Sequence, residues 1–293
     1  MNVEVYNSES FKTVADSIRE KVNTENKLSF PDGFLKNIRN CNDNLVKRFT
    51  LESYSNEKIT KIPKHAFYYG NMKNIDCPNV TEIDEYAFYE AKMENINLPK
   101  IKKIGEYAFR GCNIKELNLP EVEELDSYCF RDNPIEKAFL PKVKKIGSLA
   151  LNPCRLSEIN LPEVEEIGIR VFGRTGLDTS ENYCTIEHLD LPKVKKVDHS
   201  FEFIDSLKSV NAPLLEEIGG FTFRGTSLTH FEGPSVKTIG SRAFNNCESL
   251  IEVNLPEVTY IGDTWGGTGG DYYGFASCYE LLKVNAPKLE TSG

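Results

Sequence analysis

Two histidines, a serine and two acids stand at a spacing that invites a chemical reading. His188, Ser209 and His230 are each 21 residues apart, and Asp190 and Glu232 follow the two histidines by two residues. A serine between histidines suggests a nucleophile and its base. Imidazoles with carboxylates suggest a cation site. Neither reading holds up well. An acyl-transfer site needs a strained turn and oxyanion donors beside the nucleophile, and nothing around Ser209 encodes them. If 21 residues make one rung of a stacked sheet, the two histidines lie about 10 Å apart, whereas ligands to one zinc each sit about 2 Å from it. No catalytic residue, metal or other cofactor is therefore expected, and the chain is not read as an enzyme. His188 and His230 remain candidates for contact with a partner.

The second kind of chemistry is aromatic. The stretch "GDTWGGTGGDYYG", Gly262 to Gly274, holds the single Trp of the chain. Trp265, Tyr272 and Tyr273 combine large contact area with polar handles, as hot-spot residues do. Asp263 and Asp271 do not match a calcium-loop spacing, and no Gly-Lys-Ser/Thr follows the glycines as in a phosphate loop. The stretch either binds a partner or folds back to fill local gaps. A shorter candidate, "GRTGLDTSENYCT" from Gly173 to Thr185, reads more simply as a loop. Phe139 is the fourth aromatic candidate. It occupies a position that in other copies of the pattern below is Asp76, Asn97, Asn118, Asn160, Asp190, Asn211, Glu232, Asn254 or Asn285, so a large apolar side chain breaks a polar face.

What positions these residues is a repeat. Proline recurs at 78, 99, 120, 141, 162, 192, 213, 234, 256 and 287, mostly in steps of 21, with two steps longer by about nine. Self-similarity at such a period marks a solenoid. The unit reads L-x-x-L-x-L-P-x-V-x-x-I-G-x-x-A-F-x-x-C, with a degenerate copy from about Ile59 to Cys77. Leu117 and Leu119 alternate with polar residues as a half-buried strand does, and Pro120 ends that strand. The column Asp84, Gly105, Asp126, Gly147, Gly168, Asp198, Gly219, Gly240 and Gly262 predicts a left-handed turn. Phe67, Phe88, Phe109, Phe130, Phe172, Phe223, Phe244 and Phe275 predict an aromatic spine through the stacked coils, with Leu151 once. Glu202 falls in that column in the Pro192 copy, where Phe201 or Phe203 is expected to fill the core instead.

After each proline the charges alternate: Lys-Ile-Lys-Lys at 100–103, Glu-Val-Glu-Glu at 121–124, Lys-Val-Lys-Lys at 142–145 and Glu-Val-Glu-Glu at 163–166. Stacked at about 4.8 Å per rung, they predict opposite-sign contacts at each step. The eight cysteines contain no Cys-x-x-Cys pair. Cys112, Cys154, Cys247 and Cys278 follow the spine position by three, Cys77 and Cys129 occupy other buried columns, and Cys41 and Cys184 fall outside the pattern. Packed thiols without disulfides are the expectation.

The phrases "LPEVEEIG", "AFRGC" and "LNLP" resemble the BspA-type leucine-rich repeats of bacterial and some protozoan surface proteins, over Ile59 to about Leu289. The resemblance implies a leucine-rich-repeat solenoid and, for function, adhesion or contact with a protein or glycan. The segment "VADSIREK…LSFPDGFLKNI" near the start resembles one found in phage and prophage tail-associated proteins, which implies docking to tail proteins. On residues alone, Phe11, Val14, Ala15, Ile18 and Val22 fall at helical spacing behind Ser10 as N-cap, and a helical cap is the simpler reading.

The formal net charge is −9 and the isoelectric point is near 5.2, which argues against nucleic acid. No apolar run suits membrane insertion. The first residues carry no signal-peptide pattern, so the chain either bypasses general secretion or has a leader outside this sequence. The end at "PKLETSG" predicts an open last coil. The expected molecule is a right-handed leucine-rich-repeat solenoid of about ten coils over residues 51–293, mainly β, behind a small α-helical module at 1–50. Its expected role is non-enzymatic recognition of a protein or glycan partner at a host or cell surface, or on a virion, through Phe139, Trp265, Tyr272, Tyr273, His188 and His230. The alternative is a spacer or scaffold with no ligand of its own.

Overall fold

The computed structural model describes residues 53–173, 184–262 and 274–289, and the strand backbone at 291–292. Each coil lays down two short strands, and strands stack in parallel on their counterparts one coil away. The apolar alternation of the L-x-L phrase gives three-residue strands such as Asn74–Asp76, Glu116–Asn118, His188–Asp190 and His230–Glu232. Their central residue points inward and the two flanking residues point out, as the two-residue period requires. After the proline turn, two-residue strands such as Glu82–Ile83, Lys103–Ile104 and Glu217–Ile218 form a second face. The register is one coil: Asn74 pairs Asn95, and Lys103 pairs both Glu82 and Glu124. The two-residue strands form one six-stranded sheet up to Ile167 and a five-stranded sheet from Lys196 onward. The break coincides with the first insertion.

Between the faces lies the aromatic spine. Phe67, Phe88, Phe109 and Phe130 stack with centroids 5.0, 4.8 and 5.2 Å apart. It resumes beyond Leu151 with Phe172, Phe201, Phe223, Phe244 and Phe275. No single coil could bury such a ring, so the coils are stable only as a stack. Phe201 fills the column in the Pro192 coil. Glu202 is instead buried beside it between two guanidinium groups, 3.3 Å from Arg224 and 3.6 Å from Arg170, which is the pairing a buried carboxylate requires.

The cysteine column proves to be a hydrogen-bonding device. The Cys112 thiol donates to the carbonyl of Phe88, Cys247 to that of Phe223, and Cys278 to that of Phe244. In the one coil where Asn133 takes the column, its amide donates to Phe109 O at 2.7 Å and to Phe130 O at 2.8 Å, and its carbonyl accepts from Ile114 N at 3.0 Å. In these coils the thiol adds a second donor to a spine carbonyl that already accepts from the backbone, Ala91 N to Phe88 O at 2.9 Å, Thr226 N to Phe223 O at 3.2 Å and Cys247 N to Phe244 O at 3.2 Å. Burial pushes the Cys112 thiol up to about 12. Burial does the same to Cys77, also to about 12.

Three expectations are corrected. The helical module leaves no trace in the fold described: the molecule is a β-solenoid of about nine turns rather than ten coils, with no helix among the described residues, and residues 1–50, where the module was placed, lie outside those residues. The turns between strands do not grow into helices because left-handed residues interrupt each of them. Those left-handed residues are not the Gly/Asp column: one set lies two residues before the spine, His65, Tyr86, Tyr107, Tyr128, Leu149, Arg170, His199, Phe221 and Arg242, at φ between 49° and 61°, and a second lies two residues after it, among them Tyr69, Glu90, Gly111, Asp132 and Gly225. Such backbone costs about 1–2 kcal/mol per residue. Stacking of Tyr86 on Tyr107 at 4.8 Å and Tyr107 on Tyr128 at 4.6 Å offsets part of it, at about 0.5–1.5 kcal/mol per pair.

The Gly column is set by close approach. A Cβ at Gly147 would lie 2.4 Å from Ser127 N, and one at Gly219 would lie 2.2 Å from Asp198 Oδ1. Finally, Cys154 and Cys184 are not packed thiols. They form a disulfide, Cα to Cα 5.5 Å. Cys184 belongs to the cysteine column, displaced in sequence by the first insertion.

Candidate functional site

The three-residue strands present two outward columns, and most of their polar groups are spent on neighbours. In the third position Asn97 donates to Asp76, Asn211 to Asp190, Asn254 to Glu232 and Asn285 to Asn254, all at 2.7–2.8 Å. In the first position Lys137 pairs with Glu116 at 2.9 Å, and Lys283 pairs with Glu252. The middle of the face differs. There His188 Nδ1 lies 2.7 Å from Ser209 Oγ, so the column changes from ion pairs to an imidazole–hydroxyl contact.

This contact borders a shallow groove of about 580 Å³. Its floor is Ile159, Leu189, Val210, Pro213 and Pro234, and its rim is Asn160, His188, Asp190, Ser209, Asn211 and Glu232. The groove opens where the strand ladder lapses. The Ile159 coil forms no three-residue strand, and His188–Asp190 pairs only with Ser209–Asn211. Beneath the lapse the Cys154–Cys184 disulfide and the bond from Thr185 N to Leu156 O, 2.8 Å, fasten the Ile159 coil to the His188 coil.

Chemically, the groove offers an apolar floor with carboxylate, amide, hydroxyl and imidazole groups along its edge. It does not assemble a hydrolytic set. His188 meets Ser209 through Nδ1, Asp190 is engaged by Asn211 rather than by the imidazole, and the cis-related donors of an oxyanion hole are not built on a flat strand. Among the described residues no group of three or more His, Cys, Asp or Glu side chains could hold a metal ion.

Of the residues singled out from sequence, His188 lines the groove. His230 stands two strands further on, its Nδ1 3.1 Å from Thr229 Oγ1. Phe139 is 56% exposed on the same face, paired in register with Asn118, two coils before His188. Trp265, Tyr272 and Tyr273 lie outside the described residues. The groove itself was missed because its floor residues, Ile159, Pro213 and Pro234, occupy ordinary repeat positions. What distinguishes them is that the Ile159 coil forms no three-residue strand, and sequence does not display that absence. No helix of the described residues is long and apolar enough to cross a membrane.

Several solved leucine-rich repeat proteins are similar to this chain. Among solved structures, a leucine-rich repeat protein from Bacteroides ovatus is similar at 21% identity with a TM-score of 0.52, over 80% of this chain and 66% of that one. A leucine-rich repeat protein from Eubacterium ventriosum is 20% identical with a TM-score of 0.45, over 82% and 74% of the two chains. A leucine rich cell surface protein from Faecalibacterium prausnitzii is 20% identical with a TM-score of 0.34, over 78% and 83%. At these identities the likeness concerns the fold alone. This chain spans less than two thirds of the length of the Bacteroides protein. No curated protein matches the chain, and the tail-associated resemblance of residues 1–50 finds no support in these comparisons. Residues 60–178 and 180–292 match the family model described as BspA type Leucine rich repeat region (6 copies). The chain belongs to the BspA-type leucine-rich repeat family.

Proposed function

We propose that this protein is a non-enzymatic recognition protein that binds a hydroxyl-rich partner, a glycan by preference, in the groove between Ile159 and Glu232. The observation that carries this reading is the composition of the groove. Its apolar floor suits the C–H faces of a sugar. Its rim supplies acceptors in Asp190 and Glu232, donors in Asn160 and Asn211, and groups able to do both in His188 and Ser209. Asp190 and Glu232 each accept one amide bond from a neighbouring coil and keep further acceptor capacity for a ligand, and a binding site needs polar groups gathered around a concavity. The Cys154–Cys184 disulfide beneath the groove suits an oxidising setting such as a cell surface.

A second reading rests on Phe139. A large ring 56% exposed on an otherwise polar face suits a protein partner anchored by an aromatic contact. Trp265, Tyr272 and Tyr273 are proposed as further aromatic contacts, and His230 stands on the strand that brings Glu232 to the groove. The test is a glycan array probed with the wild type, with Asp190→Ala/Glu232→Ala, and with Phe139→Ala. The proposal expects binding to a defined glycan set that the acidic double variant loses and Phe139→Ala keeps. Equal binding by the acidic double variant contradicts it. Loss on Phe139→Ala alone favours the protein-contact reading, and no binding by any form favours a spacer.

A further inference from the structure

The cysteine column runs Gly70, Ala91, Cys112, Asn133, Cys154, Cys184, Ile204, Thr226, Cys247 and Cys278, one residue per coil. Cys112 has Ala91 and Asn133 as its neighbours, so it stands alone. The other four form two adjacent pairs, and each pair brackets one of the two insertions. Cys184 is the first column residue after the first insertion and meets Cys154 of the coil before, to which it is bonded. Cys278 is the first column residue after the second insertion and meets Cys247 of the coil before.

We propose that Cys247 and Cys278 are a second disulfide site, which links the coil after the second insertion to its predecessor as Cys154–Cys184 does at the first. The two thiols occupy the same column in adjacent coils and perturb each other's acidity. Each also donates to the spine carbonyl beneath it at 3.0 Å, Cys247 to Phe223 O and Cys278 to Phe244 O. The coils are clamped on either side of the pair by Phe244 N to Gly274 O, 2.8 Å, and Asn246 N to Ala276 O, 2.9 Å. Adjacent coils lie about 4.8 Å apart, within the roughly 4.4–6.8 Å between Cα atoms that a disulfide spans.

The two sulfurs are unequal. Cys247 is fully buried, while Cys278 is partly exposed. Cys278 beside it holds the Cys247 thiol below its usual range, and Cys278 itself is driven up. A small disulfide oxidant RSSR reaches Cys278 first because Cys278 alone of the pair is partly exposed. The small thiolate fraction of Cys278, its proton passed to solvent, displaces RS⁻ to give a mixed disulfide. Cys247, as thiolate, then attacks the Cys278 sulfur and displaces the second RS⁻. One RSSR is reduced to two RSH, and the two protein thiols are oxidised to one S–S bond.

The test uses the full chain, equilibrated with oxidised glutathione, alkylated under denaturing conditions and mapped without reduction. Eight cysteines less the bonded pair leave six alkylatable thiols before oxidation. The proposal expects four afterwards, with a Cys247–Cys278 linked peptide, and a melting temperature that rises on oxidation. Cys247→Ser should instead trap glutathione on Cys278 and melt at the same temperature with or without oxidant. Cys278→Ser retains a hydroxyl able to donate to Phe244 O and should fold without the oxidative shift. The proposal is overturned if both thiols stay alkylatable when Cys154–Cys184 is formed, or if wild-type Cys278 retains glutathione without closing on Cys247.

Discussion

The two strand faces are built from the same 21-residue unit, yet they handle charge differently. On the two-residue-strand face, lysines and glutamates answer each other coil by coil: Lys142 meets Glu121 at 2.7 Å, Lys144 meets Glu123 at 3.0 Å, Lys103 meets Glu124 at 2.9 Å and Lys196 meets Glu217 at 2.7 Å. That face is electrostatically closed. On the three-residue-strand face the alternation fails in the middle, the ladder lapses at Ile159, and carboxylates line a groove. A conspicuous charge pattern thus marks register and packing, and the proposed contact site lies where the pattern breaks.

The strongest way to test this comparison is to remove what both faces share. Phe109→Ala opens a cavity in the spine and is expected to cost about 3–5 kcal/mol in urea denaturation, while molecules that remain folded keep an intact groove some three coils away. Next, Cys184→Ala cuts the link beneath the groove. It should destabilise by about 2–4 kcal/mol, and hydrogen exchange should quicken around Ile159 and His188 more than around Lys103. Asn133→Ala strands the carbonyls of Phe109 and Phe130 and the N–H of Ile114, at about 1–3 kcal/mol by denaturant midpoint. Asn133→Cys should recover part of that loss, since a thiol performs the same task in neighbouring coils.

The smallest effect belongs to the charged face. Reversing Lys142, Lys144 and Lys145 to Glu should lower the midpoint less than Asn133→Ala, with the loss shrinking in high salt. Its pH dependence has a definite sign. The hydrogen bond from Lys144 holds the Glu123 carboxyl below the usual carboxylate range, and Lys208 and Lys237 do the same to Glu187 and Glu216. A lowered folded value stabilises the protein above the unfolded value, about 4.3 for glutamate, and that contribution fades as pH falls through the folded value. Thermal melts should fall more steeply below about pH 4 in the wild type than in the reversed triplet.

Much of this architecture was legible in the sequence because the repeat states it many times. The prolines fixed the register, Phe67 to Phe130 announced the spine, and Lys-Ile-Lys-Lys facing Glu-Val-Glu-Glu announced the ladder. What could not be read was whatever depends on one coil seeing the next. Glycine suggested a left-handed turn at Gly105 and Gly147, where the real constraint is the backbone of the coil before. Many left-handed sites carry Tyr, Leu, Phe or Arg, as at Tyr86, Leu149, Phe221 and Arg242, side chains that signal no such backbone. Cys184 looked solitary because an insertion separates it from its column, and Asn133 looked like a defect although it does the work of its neighbours' thiols. The groove was illegible for the same reason: His188 and Ser209 are ordinary strand residues until a neighbouring strand fails to form.

The central claim is that recognition resides in the groove and not in the charge ladder. The most direct measurement is titration calorimetry of an array-identified glycan against three proteins: the wild type, Asp190→Ala/Glu232→Ala, and the Lys142/Lys144/Lys145→Glu variant. The account predicts that the acidic double variant loses at least about tenfold in affinity, which corresponds to about 1.4 kcal/mol, while the lysine-reversed protein binds like the wild type. Undiminished binding by the double variant, or loss confined to the lysine-reversed protein, would contradict it.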